Sequence, residues 1–254
     1  MKRLASAGLL ALAGLALAND HNNIETGRPL SFDDAYSISF GERTLEFGLG
    51  ATTWRRKSPS YAFKSEFKYG FAKNQEVGVA IEPAYSTSDR QGNVGNVEIG
   101  YFHGLRREIG SAPALAYRVD VGLPTGRGSQ GLDLRLRAVA TQARGQYDKL
   151  HLNFDLNMST DPQPGERRYS VGGVLGFSTP LGYPRKFDQT LVAEFGLQQS
   201  RQNREGYVGS IGIGLRKQTD AKSVFDIGIA SDVFSTKGNK QRSLRLTAGF
   251  STSF

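Results

Sequence analysis

The chain has 254 residues, 38 % of them hydrophobic, with 32 Lys and Arg against 24 Asp and Glu, a formal net charge of +8 and no cysteine. Without cysteine there is no disulfide staple, no thiol nucleophile and no thiolate-ligated metal. The basic residues are spread among acids, with no Lys/Arg cluster and no interleaved aromatic platform. This argues against a nucleic-acid partner.

The chain begins MKRLASAGLLALAGLALAND. Lys2 and Arg3 precede an apolar run from Leu4 to Leu15, and Ala16-Leu17-Ala18 forms a small-residue cleavage signature before Asn19. The pattern predicts a secretory signal peptide over residues 1–18. Its apolar run falls short of the roughly 20 residues that a spanning helix needs, and no other segment comes near that length. Residues 19–42 are polar and turn-rich, and Arg28-Pro29 favours extended structure. They read as an ordered N-terminal segment, either periplasmic or plugging a lumen.

From residue 43 to 254 the chain alternates with period two, the mark of strands with one apolar and one polar face. Leu45, Phe47, Leu49 and Ala51 share a face in the first strand. Tyr61, Phe63, Phe67, Tyr69 and Phe71 do so in the second, and Val77, Val79, Ile81 and Tyr85 in the third. Val97, Ile99 and Tyr101 mark the fourth, and Leu115, Tyr117, Val119, Val121 and Leu123 the fifth. After PTGRGSQG the apolar parity moves to even numbers, with Leu132, Leu134 and Leu136, then Leu150, Leu152, Phe154 and Leu156. Odd parity returns in Tyr169, Val171, Leu175 and Phe177, in Leu191, Ala193, Phe195 and Leu197, in Tyr207, Ile211, Ile213 and Leu215, and in Phe225, Ile227 and Ile229. The twelfth strand, QRSLRLTAGFSTSF, carries Leu244, Leu246, Ala248, Phe250, Thr252 and Phe254 on one face.

Twelve is even, as in bacterial single-chain membrane barrels, and places both ends of the barrel chain on one side. Connections after strands 3, 7 and 11 are long and polar; those after 2, 6 and 10 are short. Those after strands 4 and 8 depart from the rule. A soluble sandwich could show the same periodicity. The number of long strands, the aromatics near strand ends (Trp54, Tyr61, Tyr69, Tyr101, Tyr147, Tyr169, Tyr207) and the export signal favour a closed antiparallel transmembrane β-barrel over residues 43–254. A mean hydropathy of −0.40 is compatible with this, because half of each strand would face the lumen.

The ending at Phe254 resembles the terminal strand of bacterial outer-membrane barrels, where a C-terminal Phe is a signal to the barrel-assembly machinery. ETGRP, EFKYGFAKNQEVGV and VDVGLPTGRG resemble the exported proteins of the MetA-pathway phenol-degradation family. ETGRP stands where a TDRP-like start is commoner. The resemblance implies an outer-membrane barrel that transports small organic or aromatic compounds, and it transfers no catalytic residues.

No enzymatic constellation is apparent. His21, His103 and His151 lack a neighbouring Ser in a Ser-His pattern, and none has a second His or a carboxylate at ligand spacing, so neither a catalytic site nor a metal or cofactor is expected. Asp161 and Glu166 share one outer loop and read as solvating residues. PTGRGSQG lacks the Lys-Ser/Thr ending of a phosphate loop.

The residues that would line the lumen are the charges on the polar parity: Glu46, Lys64, Glu66, Lys68, Glu82, Glu98, Arg118, Asp120, Asp133, Arg135, Arg137, Asp155, Glu194, Asp226 and Arg245, with Glu76 and Arg216 beside them. They read either as a solute-selecting lining or as ion pairs filling a narrow barrel, with Arg135 and Arg137 paired to acids on adjacent strands. The expectation is a monomeric, non-enzymatic barrel in the outer membrane. Its partners would be the lipid bilayer, the assembly machinery and an unidentified small solute.

Overall fold

The computed structural model describes residues 23–254 except 26, 55, 56, 89, 183 and 238–241. The expected signal peptide, residues 1–18, and His21 lie outside the described residues.

The first strands are β1 (Arg43–Trp54), β2 (Lys57–Ala72), β3 (Gln75–Ile81), β4 (Ala84–Ser86), β5 (Gln91–Asn93) and β6 (Val97–Arg106). They are followed by β7 (Ala114–Leu123), β8 (Asp133–Arg144), β9 (Asp148–Ser159) and β10 (Tyr169–Leu181). The last are β11 (Gln189–Gln199), β12 (Tyr207–Asp220), β13 (Ser223–Ser235) and β14 (Ser243–Ser253). Every pairing is antiparallel. The sheet closes because β1 pairs with β14, Phe47 opposite Phe250, as well as with β2, Phe47 opposite Ser65.

Fourteen strands make twelve staves. β3 and β4 form one stave, both pairing with β2 and broken at Glu82-Pro83. A proline has no N–H to give to a ladder, so the regular pairing lapses there. β5 and β6 likewise continue one another on the far side of that stave. The result is a closed twelve-stranded antiparallel β-barrel, as the alternation predicts.

Closure solves a physical problem that an open sheet cannot, since a barrel leaves no unpaired edge of N–H and C=O groups. The two faces are sharply different. Leu49, Phe63, Val79, Ile99, Leu152, Phe154, Leu175, Phe195, Ile213, Ile227 and Leu246 are exposed on the outside. Leu152 and Phe154 stand out at 58 % and 55 % relative exposure in the middle of β9. In water such a continuous apolar surface would be far larger than a monomer normally tolerates. Charged residues are buried on the other face: Glu46, Glu66, Lys68, Arg118, Asp120, Arg137, Arg216 and Asp226 are all 5 % exposed or less.

The end at which β1 begins and β14 finishes is called here the terminal end, and the opposite one the distal end. Phe254 stays at the terminal end, its N–H donating to the Arg43 carbonyl at 3.0 Å. Terminal-end connections include the tight turns at 73–74 and 221–222. Those at 107–113 and 182–188, after the fourth and eighth staves, have seven residues each. Distal connections such as 124–132 and 160–168 are longer. PTGRGSQG belongs to the first of these, a strand-to-strand connection with no helix after it.

Candidate functional site: the lumen and the segment that crosses it

Residues 23–42 form no strand of the barrel, yet Ile24, Arg28, Leu30, Phe32, Asp33, Asp34, Ala35 and Ile38 are all 5 % exposed or less. They are buried inside the barrel wall. The segment turns on itself at Gly27, whose φ of +90° is a region that side chains disfavour. Gly27 N–H donates to the Leu30 carbonyl at 2.8 Å, and Asp34 N–H to the Ile24 carbonyl at 2.9 Å.

A buried extended chain must find partners for its backbone polar groups. Here wall side chains supply them around the circumference. Ser31 donates both N–H and hydroxyl to Glu194 on β11, at 2.8 and 2.6 Å. Asp33 N–H donates to the Asn153 amide oxygen on β9 at 2.7 Å, and the Asn153 amide returns a bond to the Asp33 carbonyl at 2.9 Å. Ala35 N–H donates to the Thr141 hydroxyl on β8, and Ile38 N–H to Glu76 on β3 at 2.8 Å. The carbonyls are met as well. Thr247 donates to Pro29 at 2.6 Å, Arg137 to Ser31 at 2.9 Å and Arg216 to Arg28 at 3.2 Å.

Ion pairs reinforce this lacing. Arg28 lies between Glu46 on β1 (2.7 Å) and Asp226 on β13 (3.3 Å). Arg137 makes a two-point contact with Asp155 on the adjacent β9, both at 2.7 Å, and reaches Asp33 of the segment at 2.7 Å. Lys68 contacts Glu25 of the segment and Glu46. Buried charges of this kind cost desolvation, and removing one member of a pair typically costs about 3–5 kcal/mol. The geometry therefore favours the docked segment through mutual satisfaction more than through raw attraction.

The other charges that the alternation singles out fall into a chain on β2, β7 and β8. Lys64 pairs with Glu66 at 2.9 Å, Glu66 with Arg118 at 3.0 Å, Arg118 with Asp120 at 2.7 Å and Asp120 with Arg135 at 2.7 Å. Arg135 and Arg137 are thus each joined to an acid on a neighbouring strand. Glu98 is half-buried, 3.9 Å from Lys64. Asp133 lies 3.6 Å from Arg201 at the distal rim. Glu82 is exposed in the break between β3 and β4, outside any strand. Arg245 is half-buried.

Above the segment, on the distal side, the lumen widens into two open cavities. One, about 390 Å³, is lined by Lys64, Glu98, Asp120, Asp133 and Arg135, with Gly27 of the segment at its base. The other, about 400 Å³, is lined by Arg135, Arg137, Asp155, Arg201 and Arg245, with Ser31 at its base.

Sequence reasoning missed the neutral polar residues. Asn153 and Thr141 hold the segment, and their only signal was their inward parity beside Asp155 and Arg137. It also missed a hydroxyl pair around His151, whose Nδ1 lies 3.1 Å from the Thr141 hydroxyl and whose Nε2 lies 3.0 Å from the Ser178 hydroxyl. The absence of a sequence-adjacent Ser concealed this, because β9–β10 pairing brings Ser178 across the ladder. The arrangement differs from a hydrolytic triad. Thr141 takes the place of an orienting carboxylate, and Ser178 and His151 are 3 % and 0 % exposed, so no substrate reaches them.

Burial pushes the Asp34 carboxyl up to about 7, with Lys149 and two backbone N–H donors, Ile24 and Tyr36, opposing the rise. Asp33 adds to the rise, and Arg216 also faces Asp34 electrostatically. An acid raised in the docked state holds a proton that the undocked state releases, so docking is favoured at low pH. That contribution is lost as pH climbs from 3.8 towards 7. Limited proteolysis of the 23–42 segment is expected to accelerate over that window, and the acceleration to flatten in Asp34→Asn. Equal pH profiles for the two chains would remove Asp34 from the account.

Among solved structures, the fold is similar to a COG4313 outer-membrane channel from Pseudomonas putida F1. The match has a TM-score of 0.66 at 12 % identity and covers 91 % of this chain and 100 % of that one. It is also similar to the NanC porin (TM-score 0.57, 10 % identity, 82 % of this chain and 98 % of that one). The KdgM porin in complex with disordered oligogalacturonate gives a TM-score of 0.57 at 9 % identity over 82 % and 99 %. These likenesses are of fold: a closed antiparallel β-barrel. No family model matches the sequence, and no curated protein does.

Proposed function

We propose that the protein is a non-enzymatic outer-membrane channel for small solutes, its lumen crossed near the terminal end by residues 23–42. One observation carries this reading: the closed barrel turns its apolar side chains outward and its ion pairs inward, the reverse of a water-soluble fold. The terminal end would be periplasmic, since most of the longer connections are distal. Phe254 would then serve the assembly machinery, and the barrel would act as a monomer. The family resemblance points to small organic or aromatic compounds as the solute.

The outward belt gives a direct test. Leu152→Lys should destabilise the barrel by about 2–4 kcal/mol in phospholipid vesicles, read by denaturant unfolding, because a cation near the midplane must leave its water. A soluble barrel would lose little from a lysine at an exposed site, so a near-zero change would overturn the membrane assignment. Discrete conductance in planar bilayers, with or without the crossing segment, is the matching test of the channel.

A second reading is favoured by the density of the lacing: the segment is a permanent plug and the distal loops do the work. Glu166 pairs with Gln202, and Arg167 binds three carbonyls of the neighbouring 200–206 connection. These bonds give two distal loops a fixed shape. Silence in bilayers from a folded barrel, with and without the segment, would select this reading.

A further inference from the structure

The geometry points to a binding site for a small carboxylate-bearing solute in the distal lumen, built around Arg245 and Arg201. Both line the 400 Å³ cavity, whose wall carries four arginines against the single carboxylate of Asp155 among the described residues. The four are not equivalent. Arg137 is neutralised by Asp155 and Asp33, and Arg135 is held by Asp120 through both Nε and a terminal nitrogen at 2.9 and 2.7 Å. Among the described residues the Arg201 side chain has only Asp133, at 3.6 Å, and it is 56 % exposed. The Arg245 side chain, half-buried on β14, has no hydrogen-bond or ion-pair partner among the described residues.

A guanidinium on the cavity wall with no protein carboxylate beside it leaves its fork available to a ligand carboxylate. The planar fork of a guanidinium matches a carboxylate through two parallel bonds, a match that a neutral solute cannot make. The uncharged part of the wall, including Asn157, Gln199 and Ser210, offers hydrogen bonds suited to hydroxyl groups. The neighbouring 390 Å³ cavity is opposite in character, with Glu82, Glu98, Asp120 and Asp133 against Lys64, Arg135 and Arg201. The distal lumen is therefore polarised, and an anion has one side on which to bind. The class of ligand that fits is a hydroxylated carboxylate.

This deepens the channel reading in only one respect: the distal end must admit the solute. The test is saturation-transfer difference NMR on the full chain in detergent, with D-glucuronate as probe and D-glucose as its neutral counterpart. D-Glucuronate should give a saturable signal that weakens with added NaCl, and D-glucose should give little. Arg245→Gln should weaken D-glucuronate binding roughly tenfold or more, the loss expected when a charge-assisted contact is removed. The heat-modifiable gel shift checks that this variant is folded. Should it fail to fold, Arg201→Gln carries the same expectation, and the salt and sugar comparisons on the unaltered chain still decide. Equal signals from the two sugars, or unchanged D-glucuronate binding in a folded variant, would overturn the site. Conductance plays no part, so bilayers silent both with and without the crossing segment would sink the channel and leave the site, while a failed titration would do the reverse.

Discussion

Deleting residues 23–40 should turn a barrel with little or no conductance into one that shows discrete conductance steps in planar lipid bilayers. A barrel of eight strands is filled by its own side chains, and one of sixteen to eighteen holds an aqueous channel. Twelve staves lie between these limits, so what occupies the lumen decides whether it conducts. Here the occupant is defined: Leu30, Phe32 and Ile38 are buried within the wall, and the segment bonds to strands from β1 to β13. Its removal strips Glu46, Asp226 and Glu194 of their segment partners. Because water would fill the vacated space, the loss of barrel stability should stay below the about 3–5 kcal/mol per broken pair seen when a charge is left dry. Denaturant unfolding measures that loss, and bilayer recording measures the opening. Conductance of the full chain equal to that of the deleted chain would show that the segment leaves the path free.

The alternation made the barrel legible. Leu152, Phe154 and Leu156 against His151, Asn153 and Asp155 state which face is which, and only a closed sheet lets twelve such strands leave no edge. The parity rule also reaches the ion pairs, since Arg137 and Asp155 sit opposite each other in the β8–β9 register. It does not reach the segment that crosses the lumen. Residues 23–42 have no period, so nothing in IETGRPLSFDDAYSISF says which strand each residue will touch. Arg28 meets Asp226 from 198 positions away, a contact that exists only after the barrel has closed. The choice between a periplasmic segment and a plug therefore could not be made from pattern. His151 and Ser178 escaped for a related reason: cross-strand neighbours are set by register, and sequence spacing hides them. The break at Pro83 was missed, the third strand being read as continuous from Val77 to Tyr85 through a residue with no N–H to give to the ladder. Which glycines admit the segment is likewise set by the register.

Two of those glycines supply the sharper experiment, because they dislodge the segment without altering it. Pro29 passes close over the wall at Gly214 on β12 and Gly228 on β13, which face each other in the ladder. A Cβ on Gly228 would lie 2.6 Å from the Pro29 carbonyl oxygen, and one on Gly214 would lie 2.7 Å from the Pro29 ring. Neither neighbour can yield easily. The Pro29 carbonyl accepts from Thr247, and the adjacent Arg28 is fixed between Glu46 and Asp226. The strands cannot retreat either, being hydrogen-bonded on both sides. Valine suits a strand, but a Cβ at Gly214 would also lie 2.9 Å from the Ile227 carbonyl oxygen and one at Gly228 2.9 Å from the Thr247 hydroxyl, so the barrel must shift slightly to take the change. The double variant Gly214→Val/Gly228→Val is still expected to fold, to show the gel shift of an intact barrel, and to release the segment. Protease should cleave residues 23–42 far faster than in the unaltered chain, and conductance should approach that of the deleted barrel. Arg28→Gln makes a useful contrast, because it leaves the space intact and removes the charge from between two buried acids. It should cost about 3–5 kcal/mol of stability, where the glycine variant loses only what docking contributes. If the double valine variant keeps a protected segment and an unchanged conductance, close packing at Pro29 is not what holds the segment, and the ion pairs at Arg28 and Arg137 must hold it without that help.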